Sequence, residues 1–332
     1  MPPAGRESTI ERILAILREA SRPVSGPEIA AKLGVSRAAV WKHMRSLVAR
    51  GYRIATENGS GYRLEAASTR LLPAEIARHL TTARIGRVVH HFDSIDSTNR
   101  HAMELARRGA AEGEVVVAEA QSAGRGRLGR SFFSPAGVSF YGSIVLRPII
   151  PPARAPQITL IAGLAVAETV ERHAGMRPGL KWPNDVRLGE RKVCGILTEM
   201  ECEADRVLYV VCGPGINLNV PRADFPPELR RIATSVLAET GRTVDRAVFA
   251  ADLFACFERH YDEFLARGLG GLRERWESYS VLDGEWVSVE GAGGNVEGRV
   301  VGIDDEGALR LESSGGELVR AIAGDVTLSK PR

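Results

Sequence analysis

The segment Gly124-Arg125-Gly126-Arg127-Leu128-Gly129-Arg130 sets three glycines and three arginines within seven residues. Glycine reaches left-handed backbone angles and lets main chain come close to a ligand. Arginine adds fixed charge and a planar fork of donors. The combination predicts a flexible loop that closes over an anion. The same theme returns in Lys181-Trp182-Pro183-Asn184-Asp185 and in Arg191-Lys192-Val193-Cys194-Gly195. The fold must therefore carry several cationic, glycine-bearing loops on a scaffold.

A chain of 332 residues is too long for one compact core and implies two or three domains. No run of about 18 apolar residues is present, so no membrane span is expected. The N-terminus has no signal-peptide pattern. The four cysteines, Cys194, Cys202, Cys212 and Cys256, show no C-x-x-C spacing. They read as reduced, mostly buried thiols of a cytoplasmic protein, not as a metal site. Charge is uneven. The first 70 residues hold 12 Lys/Arg against 6 Asp/Glu, and the remainder 32 against 35. The excess positive charge thus lies at one end, which points to nucleic acid.

That basic end has the pattern of a DNA reader. Ser8-x-x-Glu11 is a capping box, and Ile10, Ile13, Leu14 and Leu17 follow at helical spacing. Ser25-Gly26-Pro27-Glu28 opens a second helix, Gly34 turns the chain, and Ser36 caps a third helix that stops at Gly51. In the third helix Val40, Met44, Leu47 and Val48 are expected to face inward, with Arg37, Ala38, Trp41, Lys42 and Arg45 outward toward DNA. Trp41 fits either the groove or packing against a wing. Two alternating stretches around Asn58-Gly59 predict that wing as a hairpin. Residues 1–65 thus read as a winged helix-turn-helix. A small protein-binding helical adaptor is the alternative.

Residues 65–73 lose periodicity and read as a linker, and Pro73 starts a short helix. Strands are expected at 88–92, 114–121, 138–146, 180–188, 192–200 and 206–213. An apolar helix is expected over 157–173, and more helix over 245–279. This describes a central α/β domain, 66–281, on a mixed sheet. From Asp283 short strands alternate with glycine, and residues 282–332 read as a small SH3-like β-barrel. The whole is a multidomain α+β chain.

Two well-known phosphate motifs nearly match. Gly124-x-Gly126-x-x-Gly129 has dinucleotide-fingerprint spacing, and Gly124-x4-Gly129-Arg130-Ser131 resembles a P-loop. Both must open a helix after a strand. The residues that follow, Ser131-Phe132-Phe133-Ser134-Pro135, do not, and the P-loop lysine is arginine. Five motifs in order resemble another family: Asp96-Ser97-Thr98-Asn99, Gln121-Ser122-Ala123 with the arginine–glycine segment, Lys181 to Asp185, Arg191 to Leu197, and Gly213-x-Gly215-Ile216-Asn217. Together they resemble the biotin–protein ligases. With the N-terminal segment they resemble the bifunctional ligase–repressors of that family.

The resemblance implies a class II synthetase-like ligase domain that joins biotin to ATP as biotinyl-5′-AMP. The acyl group then passes to a lysine of biotin carboxyl carrier protein. It implies catalytic roles for Lys192, Arg125 and Arg127, with the Lys192 ammonium between biotin carboxylate and α-phosphate. It places Ser97, Thr98, Asn99, Gln121, Arg125, Gly126, Arg127, Lys192, Gly195 and Gly215 around biotin. It places Arg127, Arg130, Phe132, Asn184, Asp185 and Asn217 around the nucleotide, with Asp185 on Mg²⁺. Phe132 stands where the family commonly has tryptophan on adenine. Biotin is then substrate and effector. Operator DNA is bound through residues 1–65, and the ligand promotes a homodimer. A lipoate ligase, or a biotin sensor that has lost catalysis, are the rivals.

Overall fold

The computed structural model describes residues 9–57, 60–291 and 294–330, in two compact units that divide after Arg78. The first unit contains α1 (Thr9–Glu19), α2 (Gly26–Leu33), α3 (Arg37–Ala49), the antiparallel hairpin β1 (Arg53–Glu57) and β2 (Gly61–Ala66), and α4 (Pro73–Ala77). Ser25 Oγ accepts from the Glu28 N–H at 3.2 Å, and Ser36 Oγ from the Ala39 N–H at 3.2 Å. Gly34 makes the turn between helices at φ 67°. These caps satisfy N–H groups that a helix start leaves open. The Ser8 box and the Asn58-Gly59 turn lie outside the described residues.

Ile13, Leu14, Leu17, Ile29, Val40, Met44 and Leu47 form the core of this unit. Val48 does not join them and is 53% exposed. One residue past Leu47 advances about 100° around the helix, which carries it off the 40/44/47 stripe. The hairpin is tied back to the helices by two main-chain bonds between Val24 and Tyr62, at 2.9 and 2.8 Å. Gly61 permits that approach, since a Cβ there would lie 2.3 Å from the Val24 carbonyl oxygen. The segment after β2 is firmly anchored. The buried Glu75 carboxylate accepts from the Tyr52 hydroxyl at 2.5 Å and pairs with Arg18 of α1.

The second unit is built on β3 (Val89–Phe92), β4 (Val115–Ala118), β5 (Phe140–Leu146), β6 (Gly179–Lys181), β7 (Asp185–Leu188), β8 (Arg191–Glu203) and β9 (Arg206–Ile216). They form one sheet in the order β3-β4-β5-β9-β8-β7-β6. Only the β3–β4 pair is parallel, so the sheet is mixed. The expected single strand over 180–188 is a hairpin instead. Pro183 has no N–H for a ladder, its bond to Trp182 is cis, and the chain reverses between β6 and β7.

Helix α5 (Thr98–Arg107) covers one face, burying Ala102 and Ala106 against Val116, Val145 and Val211. Helix α6 (Gln157–Ala174) lies on the other, where Thr159 Oγ1 is 2.8 Å from Thr198 Oγ1. Strand alternation therefore turns Gly213 and Gly215 toward the α5 face, as it does Val211. Helices α7 (Val236–Thr240), α8 (Arg246–Arg267) and α9 (Gly270–Glu277) follow. The chain ends in a five-stranded antiparallel sheet made of β10 (Trp286–Gly291), β11 (Gly294–Ile303), β12 (Leu309–Glu312), β13 (Leu318–Ala321) and β14 (Asp325–Leu328), in the order β13-β12-β11-β10-β14. Among the described residues no helix is long and apolar enough to cross a membrane.

Candidate functional site

Three of the five motifs meet at the start of α5. Ser97, Thr98 and Asn99 are all buried there. Ser97 holds the N-cap position of α5, yet its side chain makes no capping bond. Gln121 arrives just after β4, and its Oε1 accepts from the Thr98 N–H at 2.9 Å and lies 3.2 Å from Thr98 Oγ1. The Ser143 hydroxyl of β5 lies 2.6 Å from Asn99 Oδ1 and 2.8 Å from Thr98 Oγ1. Asn99 Nδ2 donates to the Leu197 carbonyl and to Glu199, each at 3.0 Å. No sequence motif points to Ser143 or Glu199.

The glycines of β8 and β9 form the floor of this cluster. A Cβ on Gly213 would fall 1.8 Å from Asn99 Oδ1, and one on Gly215 would fall 2.7 Å from the Phe132 ring. A Cβ on Gly195 would fall 2.7 Å from Lys192 Cε and 3.6 Å from Phe132. The ring of Phe132 therefore rests on Gly195 and Gly215. The cavity left behind it measures about 20 Å³, room for roughly one water.

The arginine–glycine segment is a loop, as its composition predicts. Its main chain closes on itself through Gly126 N–H to the Arg130 carbonyl at 2.7 Å and Phe132 N–H to the Gly124 carbonyl at 2.8 Å. Gly129 takes φ 74°, and Leu128 at the tip takes φ 54° with 74% of its surface exposed. Three arginines fan out from it. Arg125 pairs with Glu199 at 3.1 Å, Arg127 donates to Asn184 Oδ1 at 2.9 Å, and Arg130 pairs with Asp325 at the start of β14. Arg127 also lies 3.9 Å from Asp325. The C-terminal sheet thus holds two of the loop's three cations, a contact the sequence did not reveal.

Beyond Phe132 a cavity of about 450 Å³ opens, lined by Gly126, Arg127, Arg130, Asn184, Asp185, Lys192 and Asn217. Lys192 Nζ is 2.6 Å from Asp185 Oδ1, across the β7–β8 ladder. Asn217 is buried, and its Nδ2 donates to the Thr234 carbonyl at 3.0 Å. Lys181, another lining residue, has its ammonium pKa pushed below the ordinary lysine value by burial, reinforced by the Arg187 charge. Lysines and arginines outnumber carboxylates along this wall. Such a cavity suits a polyanion, whose charge compensates this excess of cations, the half-buried Lys181 among them. Phe132 lines both cavities and stands at their junction.

In the first unit Arg37, Ala38, Trp41, Lys42 and Arg45 are all exposed on α3. Trp41 is 54% exposed, and the Arg45 guanidinium sits 4.8 Å from its ring centroid. The indole thus shares the outer face with the cations.

Known families match three parts of the chain: an HTH domain over residues 9–63, the biotin/lipoate A/B protein ligase family over 91–217, and a biotin protein ligase C-terminal domain over 284–329. The chain is 41% identical to the bifunctional ligase/repressor BirA of Bacillus subtilis, covering 88% of this chain and 90% of that protein. It is 33% identical to the protein of the same name from Escherichia coli, covering 88% of each. Its structure is similar to a biotin protein ligase from Aquifex aeolicus solved with biotin and ATP, with a TM-score of 0.63 and 28% identity, covering 74% of this chain and 99% of that one.

Proposed function

We propose the following assignment of roles from the premise that this chain belongs to the biotin–protein ligase family, among its bifunctional ligase/repressors. The protein is an ATP-dependent ligase that forms biotinyl-5′-AMP and passes biotin to a lysine of biotin carboxyl carrier protein. It is also a DNA-binding repressor of transcription, the biotin synthesis genes being its targets. The observation that carries the catalytic reading is the convergence of Lys192 with the arginine–glycine loop on one cavity. Residues 1–65 serve as the DNA reader, 66–281 as the ligase, its first stretch up to Arg78 packed with the reader, and 282–332 as the C-terminal domain.

The ureido head of biotin belongs among Ser97, Thr98, Asn99 and Gln121, where paired donors and acceptors read a neutral urea. Gly195 and Gly215 give it a floor without side chains. The Phe132 ring rests on that floor, so it swings aside when the bicyclic head binds. The ring then becomes available to stack on adenine. The valeryl tail runs past Arg125, Gly126 and Arg127 to Lys192. The triphosphate lies in the larger cavity with Arg127, Arg130, Asn184 and Asn217.

The biotin carboxylate attacks the α-phosphorus, and the bond to pyrophosphate breaks. Both reactants are anions. Lys192 and Arg127 stabilise the charge that accumulates between them. Asp185 lines this cavity with its carboxylate paired to Lys192; once Lys192 turns to the reacting anions, that carboxylate would be free to hold Mg²⁺, which would neutralise phosphate oxygens. In the second half-reaction the carrier lysine's amine attacks the acyl carbon and AMP leaves.

On α3, Arg37, Ala38, Trp41, Lys42 and Arg45 face DNA, and the cations supply phosphate contacts. Loop closure over the adenylate also completes a surface for a second copy, so the ligand promotes a homodimer that reads a two-fold operator. The exposed tip at Leu128 supports this. Four unpaired cysteines support a reducing, cytoplasmic setting.

The deciding experiment offers labelled biotin and labelled lipoate side by side to the full chain with ATP and a carrier domain. Biotin transfer with pyrophosphate release is expected. Lipoate preference would favour the sister ligases. Biotin binding without pyrophosphate would favour a sensor.

A further inference from the structure

The hydrogen bonds of the head cluster do not end within it. They form one chain whose two ends both return to the arginine–glycine loop. At one end Glu199 accepts from Asn99 Nδ2 at 3.0 Å and holds Arg125 at 3.1 Å. At the other, Gln121 Nε2 donates to Ser134 Oγ at 3.0 Å, and Ser134 Oγ donates to the Phe132 carbonyl at 3.0 Å. Between them lie Ser143, Thr98 and the Gln121 Oε1 already described.

Donor and acceptor counting shows why Glu199 is needed. An amide offers two donors on nitrogen and an acceptor on oxygen. Asn99 Nδ2 faces two acceptors, the Leu197 carbonyl and the Glu199 carboxylate, while Oδ1 faces the Ser143 hydroxyl. A carboxylate has two accepting oxygens, so Glu199 serves Asn99 with Oε2 and Arg125 with Oε1 at the same time. A neutral amide of that shape offers only one such oxygen and no charge to hold the guanidinium. Glu199 sits on β8 beside the floor, on the α5 face with Leu197, and its side chain is 25% exposed. It is thus partly shielded from solvent screening.

We propose that Glu199 is a positioning residue that couples recognition of the biotin head to closure of the loop: it fixes the Asn99 amide and anchors Arg125, while Ser134 holds the loop's other end at the Phe132 carbonyl. The proposal rests on the role assignment above. It adds that a ligand disturbing Thr98 or Gln121 is felt at Arg125 and at Phe132, the two flanks of the closing segment. Correct head groups are then retained because they leave the chain intact, and loop closure follows from head recognition.

The test uses Glu199→Gln in the full chain. Glutamine keeps the shape but has one accepting oxygen and no charge, so the hydrogen bond to Asn99 and the contact with Arg125 both weaken. The Michaelis constant for biotin is expected to rise about tenfold, the worth of one hydrogen bond to a charged group. That for ATP at saturating biotin should stay within twofold. Preformed biotinyl-AMP should leave about tenfold faster, and Glu199→Asp should recover part of the loss. In an Arg125→Gln background the effect of Glu199→Gln on release should shrink, because the pair is already broken. Unchanged biotin constant and release rate would overturn the proposal. So would an equal rise in both Michaelis constants with a lowered melting temperature, the mark of a merely structural residue. Should Glu199→Gln fail to fold, Ser134→Ala carries the test through faster adenylate release, and an unchanged rate overturns the proposal. Failure of the unaltered protein to form biotinyl-AMP would instead refute the underlying role assignment.

Discussion

Lys192→Ala isolates the charge on which the proposed adenylation depends. The ammonium lies 2.6 Å from Asp185 Oδ1, and its side chain is 35% exposed. A partly exposed pair of this kind contributes only about 0–1 kcal/mol to folding. The melting temperature should therefore move by no more than about 4 °C. Catalysis is different. A unit charge about 4 Å from the developing anion, at an effective dielectric near 20, interacts by about 4 kcal/mol. Removal of a single preorganised donor in other enzymes costs about 2.7–4 kcal/mol. Biotin-dependent exchange of pyrophosphate into ATP should accordingly fall about 10²–10³-fold. Biotin binding measured without ATP should weaken less than turnover, because Lys192 meets the carboxylate end of biotin while the head is held by Ser97, Thr98, Asn99 and Gln121. Lys192→Arg should recover only part of the rate, since a planar fork replaces a compact ammonium. A fall of less than about threefold, roughly 0.7 kcal/mol, would refute the placement of this charge between the reacting anions. A loss of activity matched by loss of the folded state would refute the separation of catalysis from stability.

Other consequences can be checked directly. Each of Arg37→Ala and Arg45→Ala should lower operator affinity and reduce the slope of log affinity against log salt by about 0.9; filter binding at several salt concentrations reads this, and an unchanged slope means no phosphate contact. Of the four cysteines only Cys202 is exposed, and burial pushes the Cys212 and Cys256 thiols up to about 12. A thiol titration should find one fast group in the native protein and four after denaturation. Burial by itself would raise the Glu168 pKa, but the hydrogen bond and charge of His260, with Cys256 and Arg259, outweigh it and bring it down to about 2. The carboxylate therefore stabilises the fold fully above about pH 4.5, and that contribution is lost as pH falls toward 2. Denaturation midpoints of Glu168→Gln should show a flatter acid limb than those of the unaltered chain, and parallel limbs would reject the coupling.

Much of the site was legible because its demands are local. A loop that wraps an anion needs glycine and arginine adjacent in sequence, and the 124–130 segment displays both. Helix starts are written in one side chain and the N–H three residues on, so the capping roles of Ser25 and Ser36 are legible from their neighbours alone. Val48 failed because a helical stripe is narrower than a list of nearby apolar residues. The 180–188 strand failed because alternation does not show where Pro183 reverses the chain.

Sequence by itself determined which chemistry the chain could attempt: anion-binding loops, a polar head cluster at a helix start, a basic reader at one end. Tertiary structure decided which partners hold those groups. Asp325 reaches Arg130 from 195 positions away, and Glu199 reaches Asn99 from 100. Ser143 sits between Thr98 and Asn99 only because β5 pairs with β4 and β9 in one register. A one-residue slip in that register would turn Ser143 to the opposite face. Nothing within a few residues of these side chains announces their partners, because a long-range contact is set by strand pairing and loop closure.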